Sequence, residues 1–215
     1  MKTYPDHRGL SDRPGSFAKA FVLARIDGFK KDLAICLRPM PSKARKGNTH
    51  AYFPALGACF GLMEYLTALR RGSVNGIGWQ QIAEWAEDYL PAHEYSRNNI
   101  RVLFDAFRHS VAHRGIASGV WVDQNQGPTH GFKLTWSITA ASSRPAFAIN
   151  AKPGVLKKDP PWPTPYTHRV SIHLKAFAKD IIGAAYLYAA ELEHSEARQS
   201  MFYRCMQRLY PRDST

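Results

Sequence analysis

The sequence predicts a mainly α-helical bundle of four to five helices with a small antiparallel β insertion. Apolar residues recur at helical spacing through most of the chain, strict alternation is confined to 119–150, and prolines and glycines punctuate the periodic stretches. With 215 residues, 45% of them hydrophobic and 21% charged, the chain has the size of one domain and enough apolar side chains to close a core. That balance excludes a wholly disordered chain and a disulfide-stapled miniprotein.

Residues 1–15 hold Pro5, Gly9, Pro14 and Gly15 and are expected as a flexible arm, leaving 16–215 as a single helical domain. Ser16 suits an N-cap, and Phe17, Phe21, Ala24, Phe29 and Leu33 carry a first helix to about Arg38, before Pro39 and Pro41 stop it. A basic linker with Lys43, Arg45 and Lys46 follows. The second helix starts near Tyr52 or Phe53, with Pro54 tolerated in its first turn, and places Leu56, Cys59, Phe60, Met63 and Leu66 on one side. Arg70, Arg71 and Gly72 supply its C-terminal signals. Gly57 and Gly61, four apart, predict close packing of another helix within the bundle. The glycine-rich 72–78 is not a phosphate loop, because no Lys-Ser/Thr pair follows it and no strand precedes it.

A third helix is expected over 79–90, with Trp79, Ile82, Trp85, Ala86 and Tyr89 on one side and Pro91 ending it. A fourth covers 96–113. Alternation then sets in at Val120 and Val122, at Phe132, Leu134, Trp136 and Ile138, and at Phe147 and Ile149, with Gly127 and Pro128 as a turn: a small antiparallel insertion over 119–150. Residues 151–169 contain Pro153, Pro160, Pro161, Pro163 and Pro165 and read as an extended surface loop. Over 173–209 one long helical pattern returns, long enough to bend or break. The pairs Trp79/Trp85 and Tyr186/Tyr188 are read as core rather than as stacking platforms.

Lys plus Arg number 29 against 17 Asp plus Glu, a net charge of +12, which favours a polyanionic partner. The N-terminal residues have no apolar stretch of a secretory signal, and no run approaches the roughly 18 apolar residues of a membrane span. Cys36, Cys59 and Cys205 are few and far apart, as buried thiols in a reducing cytoplasm would be. A cytoplasmic protein with no membrane partner is expected.

The chemistry concentrates on the fourth helix. Ile100, Leu103, Phe104, Phe107 and Val111 form its buried stripe. On an ideal helix Arg108 stands about 80° from the stripe's centre, with His109 and His113 on the opposite face. Glu64 interrupts an apolar run of the second helix; it either pairs with an arginine, Arg108 being a candidate, or sits exposed. Arg108 has a bland alternative as a rim ion pair, and His113 as a C-terminal cap. The His109/His113 pair lacks an evident third ligand, so no metal and no cofactor are expected.

Arg108, His109, Ser110, Val111, Ala112 and His113 resemble the Arg-polar-x-x-x-His signature of the HEPN superfamily, helical domains found in ribonucleases of toxin–antitoxin, phage-defence and CRISPR systems and in non-catalytic modules. The resemblance implies a metal-independent endoribonuclease in which the ribose 2′-OH attacks the neighbouring phosphorus and leaves a 2′,3′-cyclic phosphate. It assigns His113 to acid/base work, Arg108 to the phosphate and His109 to support, with Arg101 and Arg114 as substrate contacts and Glu64 as an orienting group. His titrates near neutral pH and Arg is a permanent forked cation, as these roles require. Arg108 and His113 are about 140° apart on an ideal helix, so they meet at one phosphate only if the helix distorts or a second subunit completes the site. Family members typically dimerise motif to motif, so a homodimer, RNA or a nucleotide, and an antitoxin are the implied partners. A non-catalytic nucleotide- or protein-binding module and a structural helical domain with a coincidental motif stay as alternatives.

Overall fold

The computed structural model describes residues 14–41, 48–49, 52–108, 119–127, 130–138, 145–157 and 163–210. Among these residues six helices share one core with a four-stranded mixed sheet, so the fold is α/β, and the expectation of a mainly helical bundle with a small insertion is corrected.

Helix α1 spans Pro14–Cys36, three residues earlier than a helix capped by Ser16 would begin, because Pro14 is at home in a first turn whose N–H groups have no helical partner. The rest of the expected arm lies outside the described residues, as do Lys43, Arg45 and Lys46. A two-residue ladder, β1 (Met40–Pro41) with β2 (Asn48–Thr49), precedes α2, Tyr52–Arg71. Gly72, at φ 67, closes α2 in the left-handed conformation, and the Ser73 N–H reaches back to the Ala68 carbonyl. Helix α3 is Trp79–Tyr89. Helix α4, Arg97–Val102, is capped by Ser96, whose side chain accepts from the Asn99 N–H, and continues as a π-helical segment, Leu103–Arg108.

The long C-terminal pattern breaks in two. Helix α5 is Leu174–His194 and α6 is Glu196–Leu209; between them Ser195 donates its N–H to the Glu191 carbonyl and accepts from the Arg198 N–H with its side chain. Helix α1 packs along α5, and α2 against α5 and α6. At Gly15 a Cβ would lie 2.7 Å from the Glu193 carbonyl oxygen, so only glycine admits this approach of α1 to the end of α5. Asp88 accepts from both Arg70 and Arg198, and Arg198 also holds Glu191, which ties α2, α3, α5 and α6 together.

The sheet runs β3 (Gly119–Val122), β4 (Gly131–Ser137), β6 (Thr164–His173), β5 (Phe147–Leu156) in spatial order. Strand β4 pairs antiparallel with β3 and parallel with β6, and β6 pairs antiparallel with β5. The antiparallel insertion ending at 150 and the proline-rich loop of 151–169 are therefore both corrected. Strand β5 runs on through Pro153, and β6 occupies an interior place in the sheet. The prolines that hid these strands sit where a sheet tolerates them: Pro153 at the register shift between Ala151 and Gly154, and Pro165 second in β6. Phe132, Leu134, Phe147, Val170 and Ile172 turn one face of the sheet into the helical core, where Trp85, Tyr95, Phe107, Phe177 and Tyr188 are buried with them. Glu94 ties the layers, its Oε2 accepting the Ala146 N–H at 2.7 Å as the chain enters β5.

Trp85 and Tyr188 are core, as expected, but Tyr186 is exposed with the Lys30 ammonium 5.8 Å from its ring centre. Gly57 and Gly61 are exposed, and a Cβ at either would meet nothing within 4 Å among the described residues, so neither marks close packing inside the bundle. Cys59 and Cys205 are buried and Cys36 half-buried; burial, and after it Cys36, pushes the Cys59 thiol up to about 12.

Candidate functional site

Helix α2 buries Phe60, Leu62, Met63 and Leu66 and leaves Glu64 at the rim of its apolar face. The π-helical segment sets Phe104 edge-on against Phe60, ring centres 5.4 Å apart, and buries Leu103, Ala106 and Phe107. Arg108, its last residue, is delivered to the same rim. Arg108 Nε donates to Glu64 Oε1 at 2.8 Å and Nη2 faces Oε2 at 3.5 Å. The side chains are 35% and 30% exposed, so the guanidinium is oriented by the carboxylate while the pair stays in reach of solvent. Of the alternatives for Glu64, the structure shows the pairing with Arg108.

Over its described residues the fourth helix is α-helical only to Val102 and π-helical from Leu103 to Arg108, a distortion of the kind the sequence left open. In a π segment the hydrogen bonds run from i to i+5, so Arg108 does not take its ideal α-helical direction. Such segments recur at functional sites, because the additional residue per turn displaces a side chain from the regular stripe. His109, His113 and Arg114 lie outside the described residues.

Arg101 is placed elsewhere. Its Nη2 donates to Asp123 Oδ2 at 2.6 Å; Asp123 is 1% exposed and the Arg101 side chain 13%. Asp123 Oδ1 accepts the Asn125 N–H, the turn that follows β3. The hydrogen bond from Arg101 holds the Asp123 carboxyl below the usual carboxylate range, against the opposing effect of burial. Thus Arg108 and Glu64 come together, while Arg101 is committed to joining α4 to the β3–β4 connection. Asp123 was missed by sequence reasoning, although one signal pointed to it: it is the sole acid between Asp105 and Asp159.

A second polar group lies on the sheet. His130 and His168 stand 4.9 Å apart, and His168 stacks on Phe132 at 5.2 Å. Burial, and after it His130, presses the His168 imidazole below its ordinary range, which favours the neutral ring. Among the described residues no three His, Cys, Asp or Glu side chains gather as metal ligands, and no helix is long and apolar enough to cross a membrane.

No known protein family, no curated protein and no solved structure matches the chain.

Proposed function

We propose that the chain is a HEPN-like endoribonuclease that cleaves RNA without a metal ion and acts as a homodimer. The observation that carries this reading is the Arg108–Glu64 pair at the end of the π-helical segment, immediately before His109 and His113 in sequence. A guanidinium fixed by a carboxylate and still partly in contact with solvent suits a phosphate clamp, because its forked donors are set before substrate arrives. The net charge of +12 supports a polyanionic substrate.

In the proposed reaction the ribose 2′-oxygen forms a bond to phosphorus as the bond from phosphorus to the 5′-oxygen breaks. The 2′-OH gives up its proton to a base, and the departing 5′-oxygen takes one from an acid. His113 fills the acid role, with His109 in support, and Arg108 balances charge on the phosphoryl oxygens. Glu64 is a positioning residue, acting through Arg108. The second copy of the chain supplies the facing motif in a two-fold cleft.

The test is incubation of the full chain with labelled single-stranded RNA in EDTA. Cleavage to 2′,3′-cyclic phosphate ends is expected, with each of Arg108→Ala and His113→Ala lowering the rate at least about 100-fold, the scale of losing a proton-transfer group or a charge-stabilising donor. Unchanged melting temperatures would separate this from misfolding. Cleavage that both variants retain defeats the assignment. Saturable RNA or nucleotide binding weakened by Arg108→Ala, with no product, favours the non-catalytic module, which the existing ion pair of Arg108 also suits.

A further inference from the structure

The sheet's second face carries a charge pattern that the Arg108 site does not use. Register places Val120, Lys133, Arg169 and Asn150 opposite one another across β3, β4, β6 and β5. Side chains of directly paired residues share a face, and alternation puts this row opposite Phe132, Leu134, Val170 and Ile172. The neighbouring row is Thr135, Ser171 and Ala148. The four strands contain no Asp or Glu at all.

The cations are concentrated around one ring. Tyr166 is 5% exposed, with Lys133 Nζ 5.5 Å and the Arg169 guanidinium carbon 5.9 Å from its centre. Arg169 Nη2 lies 3.2 Å from the Tyr166 hydroxyl, and Arg169 Nε has no hydrogen-bond partner among the described residues. The Arg169 hydrogen bond, against the opposing effect of burial, and then the charges of Arg169, Lys133 and Lys152 hold the Tyr166 hydroxyl below the ordinary phenol range. No carboxylate among the described residues lies within 4.0 Å of Lys133, Lys152 or Arg169, and the ion pairs among those residues lie elsewhere.

We infer that the Lys133–Arg169–Asn150 row, with Lys152 beside it, is a binding surface for the sugar–phosphate backbone of single-stranded RNA. Lys and Arg neutralise phosphates, and the Asn150 amide and the Ser171 hydroxyl offer hydrogen bonds to phosphate and ribose oxygens, whereas the Thr135 hydroxyl already donates to the Val170 carbonyl. A bilayer is the poorer fit. Among the described strand residues Val155 is the one exposed large apolar side chain, so the apolar insertion that strengthens membrane-surface binding beyond charge alone has little to draw on. The inference rests on the reading of the chain as an RNA-acting protein and extends it to a second contact, on the sheet rather than at the motif.

Binding is measured with a fluorescent 2′-O-methyl RNA, which lacks the attacking hydroxyl, so the result does not depend on cleavage. Wild type and the double variant Lys133→Gln/Lys152→Gln are titrated between about 50 and 200 mM salt. The expected result is weaker binding and a log–log salt slope reduced by about 1.4, since each single-strand phosphate contact contributes about 0.7. Lys31→Gln/Arg204→Gln, an equal charge change on exposed helical positions, is expected to leave the slope unaltered. An unchanged slope in the sheet variant overturns the surface, whether or not wild type cleaves ordinary RNA. Equal losses in both variants also overturn it, in favour of unspecific charge. Binding to phosphatidylserine vesicles with none to RNA overturns it in favour of a membrane. Reduced binding in the sheet variant, with no cleavage by wild type, upholds the surface and defeats the nuclease reading instead.

Discussion

Asp123 keeps a negative charge almost wholly out of water, and the Arg101 guanidinium at 2.6 Å keeps it tolerable there. Removing the cation would leave a buried charge without compensation, so Arg101→Ala is expected to lower stability by about 3 kcal/mol at pH 7. The folded carboxyl titrates below its ordinary range, so the stabilisation is present above the usual Asp pKa and is lost as pH falls through the lowered value. The gap between wild type and Arg101→Ala in urea denaturation should therefore close in acid, and Arg101→Met with Asp123→Asn should recover much of the loss. A gap that persists in acid would contradict this account. Residue pairs differ in how far a sequence exposes them. Glu64 is conspicuous as a lone carboxylate in an apolar run, and Arg108 was a nameable partner for it. The fate of Arg101 was not legible, because Asp123 is brought to it by the β3–β4 connection.

At the scale of elements, β4 and β6 run so close at one end that a Cβ on Gly131 would lie 2.9 Å from the Pro165 carbonyl oxygen and 3.1 Å from the Tyr166 Cα. Both are backbone atoms that cannot swing aside, so Gly131→Ala is expected to cost about 1–3 kcal/mol in chemical denaturation. Gly183 of α5 is exposed with nothing within 4 Å, and there the same substitution should stabilise by about 0.8 kcal/mol through helix propensity. Equal effects at the two positions would refute the close approach. The helices were readable in the sequence because their period, Ser96 as a cap and Gly72 as a stop are local signals. Strand β6 was not, because Pro165 mimics a loop, and its parallel pairing with β4 joins residues such as Phe132 and His168 that no local pattern links. The π-helical segment leaves no local mark either: its apolar residues fit an α-helical stripe.

At the scale of the molecule, sheet and helices share one buried core. Phe147, Val170 and Ile172 belong to the same buried cluster as Phe177, Phe60 and Trp85, and Glu94 fastens the entry of β5 to the helical layer. Replacing residues 119–173 by a short Gly/Ser linker is therefore expected to abolish the cooperative thermal transition rather than leave a folded helical bundle. Retention of a sharp transition by circular dichroism would show the helices to be autonomous. The row of Lys133, Arg169 and Asn150 also belongs to this scale, since it exists only once the strand order is known.

The order β3-β4-β6-β5 also bears on how the chain is made. During synthesis β4 and β5 emerge before the strand that lies between them, so each presents an unmatched backbone edge until residue 173 has left the ribosome. The parallel β4–β6 contact closes over a long stretch of chain, the kind of non-local pairing that slows folding and prolongs the sticky interval. Helices α1 to α4 have emerged by then, but α1 and α2 pack on α5, so their apolar faces and that of the sheet must wait for it. Aggregation during synthesis is therefore expected chiefly in the span between β4 and the start of α5.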